Sequence, residues 1–312
     1  MRGFAALFPG QGAQYPGMGK DLAATEPAAA EVFREADRAL GFGLREICFA
    51  GTEADLARTE ITQPAILTVA VAAFRAFVAR GGARPVAAAG HSLGEYAAHV
   101  AAETIPFDAA VRAVRERGRF MQEAVPEGRG AMAAILGLPR EELEAVCREA
   151  ADGEVVSCAN FNGPGQIVIA GHAGAVARAC EGALRAGAKR AVPLSVSAPF
   201  HCALMKPAAE RLAPVLEAIP FADPAIPVYT NADAERVQSA AAARSALARQ
   251  VEAPVRWDEE VARMCDAGID RFVEFGPGKV LAGLVRRIRK DAEVLSVPDG
   301  TDVAGAVQAT GS

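Results

Sequence analysis

A serine in a tight glycine-rich turn is the residue of this chain best suited to nucleophilic chemistry. Ser92 lies in the Gly-x-Ser-x-Gly segment 90–94, between an apolar run at 85–89 that predicts a buried strand and an Ala-rich stretch at 93–102 that predicts a helix. Such a turn needs small neighbours and pushes the serine hydroxyl outward, while the N–H groups at the helix start can hold a developing negative charge. Ser92 is therefore a candidate nucleophile for acyl chemistry. The alternative is that it only caps the helix.

A serine nucleophile needs a base, and the chain has four histidines. His91 adjoins Ser92, but its side chain should diverge from the hydroxyl at the turn. His99 lies along the following helix, and His172 follows a strand in a differently patterned segment. His201 lies in a loop between two such segments, and a residue at such a junction faces the cleft where ligand sites are favoured. His201 is the best candidate base of the four.

One arginine falls on the apolar face of a predicted helix. The helix predicted over 109–123 carries an apolar stripe through Ala110, Val114 and Met121, and Arg117 falls within that stripe. Burial of an unpaired guanidinium is costly, so Arg117 needs an anionic partner. Two partners remain open: a carboxylate of the protein itself, or the carboxylate of a substrate held by two hydrogen bonds.

Apolar strand-like runs alternate with Ala-rich helical stretches, and this order predicts an α/β fold. We expect a large α/β-hydrolase-like domain with a central parallel sheet. From Gly130 the pattern changes to strand-helix-strand-strand-helix-strand, which is typical of a small ferredoxin-like α+β unit. The sequence therefore predicts three regions, and these are a discontinuous catalytic domain over 1–127 and 205–298, a ferredoxin-like insert over 128–204, and a weakly ordered tail over 299–312.

Composition excludes several classes of protein. The 312 residues are 51% apolar and 23% charged, which is typical of globular proteins, and the net charge of −5 disfavours a general nucleic-acid binder. No apolar run approaches the ~18 residues of a membrane span, and the N-terminus lacks the pattern of a secretory signal. The six cysteines are scattered without metal-ligand spacing, so neither a metal site nor disulfides are expected. A cytoplasmic enzyme is the resulting expectation.

A series of short motifs extends in order over nearly the whole chain. These motifs lie at 8–14, 62–65, 90–96, 117–122, 130–134, 160–162, 166–171, 201–207, 250–257 and 274–281. Together they closely resemble the motifs of malonyl-CoA:acyl carrier protein transacylases, the stand-alone acyltransferases of bacterial type II fatty acid synthesis. The chain is similar to that family along almost its full length.

This resemblance implies a transferase that works through an acylated serine. Ser92 would attack the malonyl thioester, with His201 as general base and then general acid. Serine enzymes usually orient their histidine with a carboxylate, whereas the resemblance implies the backbone carbonyl of Gln250 in that role. The backbone N–H groups of Leu93 and Gln11 would form the oxyanion hole.

The resemblance also assigns the acyl pocket. Arg117 would hold the free malonyl carboxylate, and Gln63, Asn160 and Asn162 are further cleft candidates, for which capping of a loop is an equally good role. Phe200 stands where many stand-alone members have Ser, and it matches malonyl-selective domains of modular polyketide synthases. Its ring would crowd an α-methyl group, so malonyl should be preferred over methylmalonyl. A malonyl acyltransferase that serves a polyketide synthase in trans is therefore the main alternative function.

The second substrate would be an acidic acyl carrier protein that bears a phosphopantetheine thiol, with no cofactor beyond the coenzyme A thioester. An acidic partner needs a local basic patch, and the candidates are Arg286, Arg287, Lys189 and Arg190, although a solvated helix end is the simpler explanation of each pair. Two other functions stay open. A serine thioesterase would release the acyl group to water, and a catalytically idle subunit would only bind the carrier protein.

Overall fold

Strands and helices alternate along the chain, as seen in a computed structural model that describes residues 3–196, 198–298 and 303–311. The strands are β1 (Ala5–Phe8), β2 (Ala87–Gly90), β3 (Gly130–Leu136), β4 (Val156–Gly163), β5 (Gln166–His172), β6 (Arg190–Pro193), β7 (Val228–Tyr229), β8 (Arg236–Val237), β9 (Arg271–Phe275) and β10 (Glu293–Val297). The helices are α1 (Lys20–Thr25), α2 (Pro27–Leu40), α3 (Leu44–Ala50), α4 (Glu53–Ala57), α5 (Thr59–Ala79), α6 (Gly94–Ala101), α7 (Phe107–Glu123), α8 (Arg140–Ala151), α9 (Ala173–Arg185), α10 (Lys206–Glu217), α11 (Ala240–Gln250), α12 (Trp257–Asp266), α13 (Val280–Ile288) and α14 (Val303–Gly311). A short 3-10 turn, Ala203–Met205, precedes α10.

A mostly parallel sheet forms the centre of the molecule. Its order is β10-β9-β1-β2-β7-β8, and every neighbouring pair is parallel except β7 with β8. Strands β1 and β2 are fully buried, as expected where helices cover both faces of a parallel sheet. The predicted large α/β unit with a central parallel sheet is thereby confirmed.

A second, smaller sheet is formed by a continuous part of the chain. Its order is β4-β5-β3-β6, with antiparallel neighbours throughout, and helices α8 and α9 pack on it. The predicted strand-helix-strand-strand-helix-strand order is confirmed. The domain boundaries at 127/128 and 204/205 stay predictions, supported by the position of this sheet between residues 130 and 193.

Helix α5 is the core helix of the large unit. Among the described residues it is the one helix long and apolar enough to cross a membrane, yet 89% of its most apolar window is buried inside the protein. It packs mainly against α2 and α7. Its apolar surface therefore serves the hydrophobic core.

The C-terminal segment departs from the predicted weakly ordered tail over 299–312. Residues 303–311 form helix α14, which packs against α5 and β10. Val303 and Ala306 are buried there, so small side chains that look like a polar tail in sequence cover part of the core. Residues 299–302 and 312 lie outside the described residues.

Candidate active site

The predicted turn holds Ser92 at the carboxyl end of β2, directly before α6. Ser92 has φ 53°, a left-handed conformation that side chains rarely adopt. The glycines on either side are required by close backbone approach, since a Cβ on Gly90 would lie 2.0 Å from the carbonyl of Gly94, and one on Gly94 would lie 2.1 Å from the carbonyl oxygen of Phe8. This geometry is that of a nucleophile elbow, in which a strained turn presents the serine hydroxyl.

His201 lies within hydrogen-bond distance of Ser92. The Ser92 Oγ to His201 Nε2 distance is 2.7 Å, and His201 Nδ1 lies 2.9 Å from the Gln250 carbonyl oxygen and 3.1 Å from that of Ala253. Because a carbonyl oxygen can only accept, Nδ1 carries the proton and Nε2 is left to accept the serine proton. The pair therefore has the geometry of a nucleophile and its base, with backbone carbonyls in place of a carboxylate.

Burial keeps the imidazole of His201 neutral. The residue is 3% exposed, and burial together with the nearby charge of Arg117 lowers its pKa to about 3. A neutral imidazole can accept a proton, whereas an imidazolium cannot. His201 is thus in the base form throughout the neutral pH range.

Among the described residues, none of the other three histidines is hydrogen-bonded to the Ser92 hydroxyl. His91 Nε2 lies 2.8 Å from Asn162 Oδ1, and His172 Nδ1 accepts a hydrogen bond of 2.9 Å from the backbone N–H of Val155. His99 is buried, and its ring nitrogens have no hydrogen-bond partner among the described residues. Asn162 therefore acts on the turn through His91 and does not line the cavity.

Arg117 is 1% exposed and forms hydrogen bonds to neutral oxygens. Its Nη1 donates to Gln63 Oε1 at 2.8 Å, and its Nη2 donates to Gln250 Oε1 at 2.9 Å and to Ser92 Oγ at 3.1 Å. Its Nε has no hydrogen-bond partner in the part of the chain that the structure describes. Within the described part of the chain no carboxylate oxygen lies within 4.0 Å of the guanidinium. The internal salt bridge is therefore not formed, and the positive charge lies beside Ser92 without a direct counter-charge.

Two backbone N–H groups near Ser92 are free to stabilise an oxyanion. In the described residues neither Gln11 nor Leu93 uses its N–H in an internal hydrogen bond. The loop after β1 packs directly on the turn, because a Cβ on Gly10 would lie 2.5 Å from the His91 carbonyl oxygen. Within the described chain both N–H groups are thus free of internal partners, and Gln11 lines the same cavity as Ser92, so an oxyanion hole formed by these two groups stays a prediction.

A small cavity of about 100 Å³ joins these groups between the two sheets. Its volume suits a group of a few atoms and not a whole coenzyme. Gln250 does not line the cavity, but it forms hydrogen bonds with both Arg117 and His201. The cavity is lined by Gln11, Gln63, His91, Ser92, Arg117, Met121, Met132, Asn160, Leu194, Val196, Phe200 and His201.

A buried polar cluster that the sequence analysis does not predict lies beneath the turn. Asn231, Glu95 and Glu260 are all fully buried there, and Asn231 Oδ1 accepts a hydrogen bond of 2.6 Å from the backbone N–H of Ser92. Glu95 lies three residues after Ser92, within the motif at 90–96. This position is the one feature of the sequence that could have indicated the cluster. Among the described residues there is no group of three or more His, Cys, Asp or Glu side chains able to hold a metal ion.

The two predicted basic pairs meet at one end of the small sheet, where Arg287 of the first pair lies near Arg190 of the second. Gln166 on β5 is opposite Leu136 on β3, which is opposite Arg190 on β6. Arg287 donates a hydrogen bond to Gln166, and Lys189 is the neighbour of Arg190. All of these basic side chains are exposed, as is Arg286. The four basic residues Arg286, Arg287, Lys189 and Arg190 are called the basic patch below.

The whole chain is similar to one group of proteins in sequence and in structure. A family model described as acyl transferase domain matches residues 6–306. The malonyl CoA-acyl carrier protein transacylase of Escherichia coli (strain K12) is 49% identical over 308 residues, which cover 99% of this chain and 100% of that protein. The malonyl CoA-acyl carrier protein transacylase (fabD) of Coxiella burnetii has a TM-score of 0.97 at 44% identity, and the match covers 99% of this chain and 98% of that one. A malonyl-transacylase solved in complex with a type II PKS acyl-carrier protein has a TM-score of 0.96 at 48% identity, over 98% of this chain and 99% of that one.

The variant His201→Gln tests whether His201 is a neutral buried base. An unfolded histidine takes up a proton below about pH 6.5, whereas folded His201 stays neutral down to about 3. Because the folded pKa is depressed, the contribution of His201 to stability is greatest above pH 6.5 and is lost as the pH falls towards 3. At about pH 5 we expect the wild type to take up about one proton more on unfolding than the variant. The measurement is the slope of the unfolding free energy against pH in both proteins. Equal slopes in the wild type and the variant would show that His201 is not neutral in the folded protein.

Proposed function

This chain belongs to the acyl transferase family, and from that premise we propose that it transfers malonyl from malonyl-CoA to the phosphopantetheine thiol of an acyl carrier protein. The observation that carries the substrate assignment is the guanidinium of Arg117. It is buried, its charge has no carboxylate partner among the described residues, and its Nη2 lies 3.1 Å from the Ser92 hydroxyl. A free carboxylate on the acyl group would supply the missing counter-charge next to the reacting atom.

The proposed first half-reaction acylates the enzyme. Ser92 Oγ attacks the thioester carbonyl carbon while its proton passes to His201 Nε2. The N–H groups of Gln11 and Leu93 hold the oxyanion of the tetrahedral intermediate. The carbon–sulfur bond then breaks, and the coenzyme A thiolate leaves with the proton from His201. The product is malonyl-Ser92.

The second half-reaction reverses these proton transfers with another thiol. The carrier thiol gives its proton to His201 Nε2 and attacks the malonyl-Ser92 ester. Ser92 Oγ then leaves and recovers its proton from His201. The first half-reaction exchanges a carbon–sulfur bond for a carbon–oxygen bond and the second reverses this exchange, so one thioester is converted to another without oxidation or reduction, and the proposal needs no cofactor beyond the thioester itself.

Transfer is favoured over hydrolysis by two features of the site. The base is held by neutral carbonyl oxygens of Gln250 and Ala253, which stabilise an imidazolium less than a carboxylate would. The cavity of about 100 Å³ also leaves little room for water beside an acyl group. We therefore propose a transferase, with serine thioesterase activity as the outcome that would replace it.

Phe200 supports a preference for an unbranched malonyl group. It is 7% exposed and lines the cavity together with Met121 and Met132, so an α-methyl group would meet its ring. Supply of malonyl to fatty acid elongation is the function we propose first. The second candidate is the supply of malonyl to a polyketide carrier protein in trans. It is favoured by Phe200 and by the similarity to a malonyl-transacylase solved with a type II PKS carrier protein.

We propose that the basic patch is where the carrier protein docks. The patch is exposed and contains four cationic residues, two on α13 of the large unit and two at the start of β6 in the small sheet, which also contributes Met132 and Asn160 to the cavity. An acidic carrier would be attracted to it electrostatically, although the net charge of the chain is −5. A cytoplasmic location belongs to the same proposal, because all six cysteines are free, as expected in a reducing compartment.

Rapid mixing with malonyl-CoA tests the function directly. After a fast quench, the intact and peptide masses should show malonyl on Ser92 and no adduct in Ser92→Ala, because the serine hydroxyl is the acceptor. Addition of a holo acyl carrier protein should remove the adduct and malonylate the carrier. Steady release of coenzyme A without transfer would instead indicate a thioesterase. Carrier malonylation that survives Ser92→Ala would contradict the mechanism.

The variant Phe200→Ser tests the specificity assignment. Removal of the ring makes room for an α-methyl group, so we expect the preference for malonyl-CoA over methylmalonyl-CoA to fall by about 10-fold or more, within the ~1–3 kcal/mol that one methyl group can decide. The measurement is the ratio of kcat/KM for the two thioesters. An unchanged ratio would show that Phe200 does not set this selectivity.

A further inference from the structure

Two side-chain amides hold the backbone of the nucleophile from opposite sides. The Ser92 N–H donates to Asn231 Oδ1 at 2.6 Å, and the Ser92 carbonyl accepts from Gln250 Nε2 at 2.8 Å. Asn231 and Gln250 come from the large unit, 139 and 158 residues after Ser92 in the chain. The peptide groups on both sides of the Ser92 Cα are therefore fixed by residues outside the turn itself.

The orientation of both amides is determined by their other partners. The Asn231 amide nitrogen donates to the Gly90 carbonyl and to Glu260 Oε1, each at 2.8 Å, so its oxygen must face Ser92. Gln250 Oε1 accepts from Arg117, and a guanidinium can only donate. Neither amide can turn over without the loss of at least two buried hydrogen bonds, each worth about 0.5–1.5 kcal/mol.

Glu95 joins these two amide residues beneath the turn. One of its oxygens, Oε2, accepts from the Asn231 backbone N–H at 2.9 Å and from Gln250 Nε2 at 2.8 Å. Glu95 is on the first turn of α6 and is fully buried. Burial raises its pKa to about 7, and burial together with Glu95 raises the pKa of Glu260 well above its usual value. A carboxyl oxygen accepts hydrogen bonds in either protonation state, so this contact does not need the charge.

The turn needs such support because its backbone is strained. A left-handed conformation costs a residue with a side chain about 1–2 kcal/mol, and both Ser92 and His201 adopt one, with φ 53° and 58°. Gln250 contacts both reacting residues, since its side chain bonds the Ser92 carbonyl and its own carbonyl accepts from His201. A shift of about 1 Å between nucleophile and base costs about 100-fold in rate.

We propose that Glu95 and Asn231 are positioning residues, which hold the Ser92 turn and the Gln250 amide so that the serine hydroxyl stays aligned with His201. This inference rests on the proposed acylation of Ser92. Neither residue touches the acyl group, and both act through Ser92 and Gln250. Their removal should therefore slow acylation at saturating malonyl-CoA and leave the half-saturating concentration nearly unchanged, because Arg117 keeps its bond to Gln63.

The test is the single-turnover rate of malonyl-Ser92 formation in the full-length protein, followed by rapid quench over a range of malonyl-CoA concentrations. Asn231→Ala and Glu95→Leu should lower the saturated rate about 10- to 100-fold, with half-saturation within about threefold of the wild type. Glu95→Gln should restore the rate to within about threefold, because its amide oxygen can accept both hydrogen bonds.

Glu274→Leu is the matched control. Glu274 is also a fully buried carboxyl that accepts two backbone hydrogen bonds, from Leu281 and Ala282 at 3.0 and 2.8 Å, and it does not line the cavity. It should lower the melting temperature without a change in the acylation rate. Equal slowing by Glu274→Leu and Glu95→Leu, wild-type rates in Asn231→Ala and Glu95→Leu, or no rescue by Glu95→Gln would each overturn the inference. Failure of the wild type to acylate Ser92 would overturn the proposed function as well, so the two failures are distinguishable.

Discussion

The buried guanidinium of Arg117 is the constraint on which this site depends. Arginine keeps its proton in proteins, so helix α7 carries a fixed positive charge into a region where charge is costly. The protein surrounds it with neutral oxygens from Gln63, Gln250 and Ser92. These bonds orient the guanidinium but do not neutralise it. A site built in this way binds an anion more strongly than a neutral group of the same shape.

Gln250 connects this charge to the reacting pair. Its side-chain oxygen accepts from Arg117, its side-chain nitrogen donates to the Ser92 carbonyl, and its backbone carbonyl accepts from His201 Nδ1. One residue at the end of α11 thus fixes the guanidinium of Arg117, the backbone of Ser92 and the tautomer of His201. Since a glutamine is neutral, it performs this without an anion that would compete with the substrate for Arg117. The arrangement explains how an acyltransferase can work without a carboxylate partner for its histidine.

The sequence predicted the parts of the site whose residue type and spacing carry a local signal. The turn around Ser92 follows from glycines between a strand and a helix, and the burial of Arg117 follows from the period of its helix. The roles of Gln250, Gln11 and Leu93 were predicted from family resemblance. They depend on backbone carbonyl and N–H groups, which nearly every residue has, so residue type does not indicate them. Asn231 was not predicted, since a contact across 139 residues has no periodicity.

The fold was predicted where elements are long and strongly patterned. The central and small sheets were anticipated, whereas the two-residue strands β7 and β8 are too short for a pattern to show. The sequence predicts a tail where helix α14 lies, because the residues after Pro298 are mostly small and polar. The order of this helix comes from the surface of α5 and β10 that it covers, and such tertiary contacts are not visible in a local window of sequence.

The most direct test of the central claim is the ratio of kcat/KM for malonyl-CoA over acetyl-CoA in the wild type and in Arg117→Met. Methionine fills a similar volume but carries no charge, so the acyl pocket keeps its shape and loses only its grip on the carboxylate. We expect a strong preference for malonyl-CoA in the wild type and its loss or reversal in the variant, because malonyl turnover falls while the protein stays folded. A variant that keeps the wild-type preference would show that the carboxylate is recognised by another group, and Arg117 would not be the malonyl-binding residue.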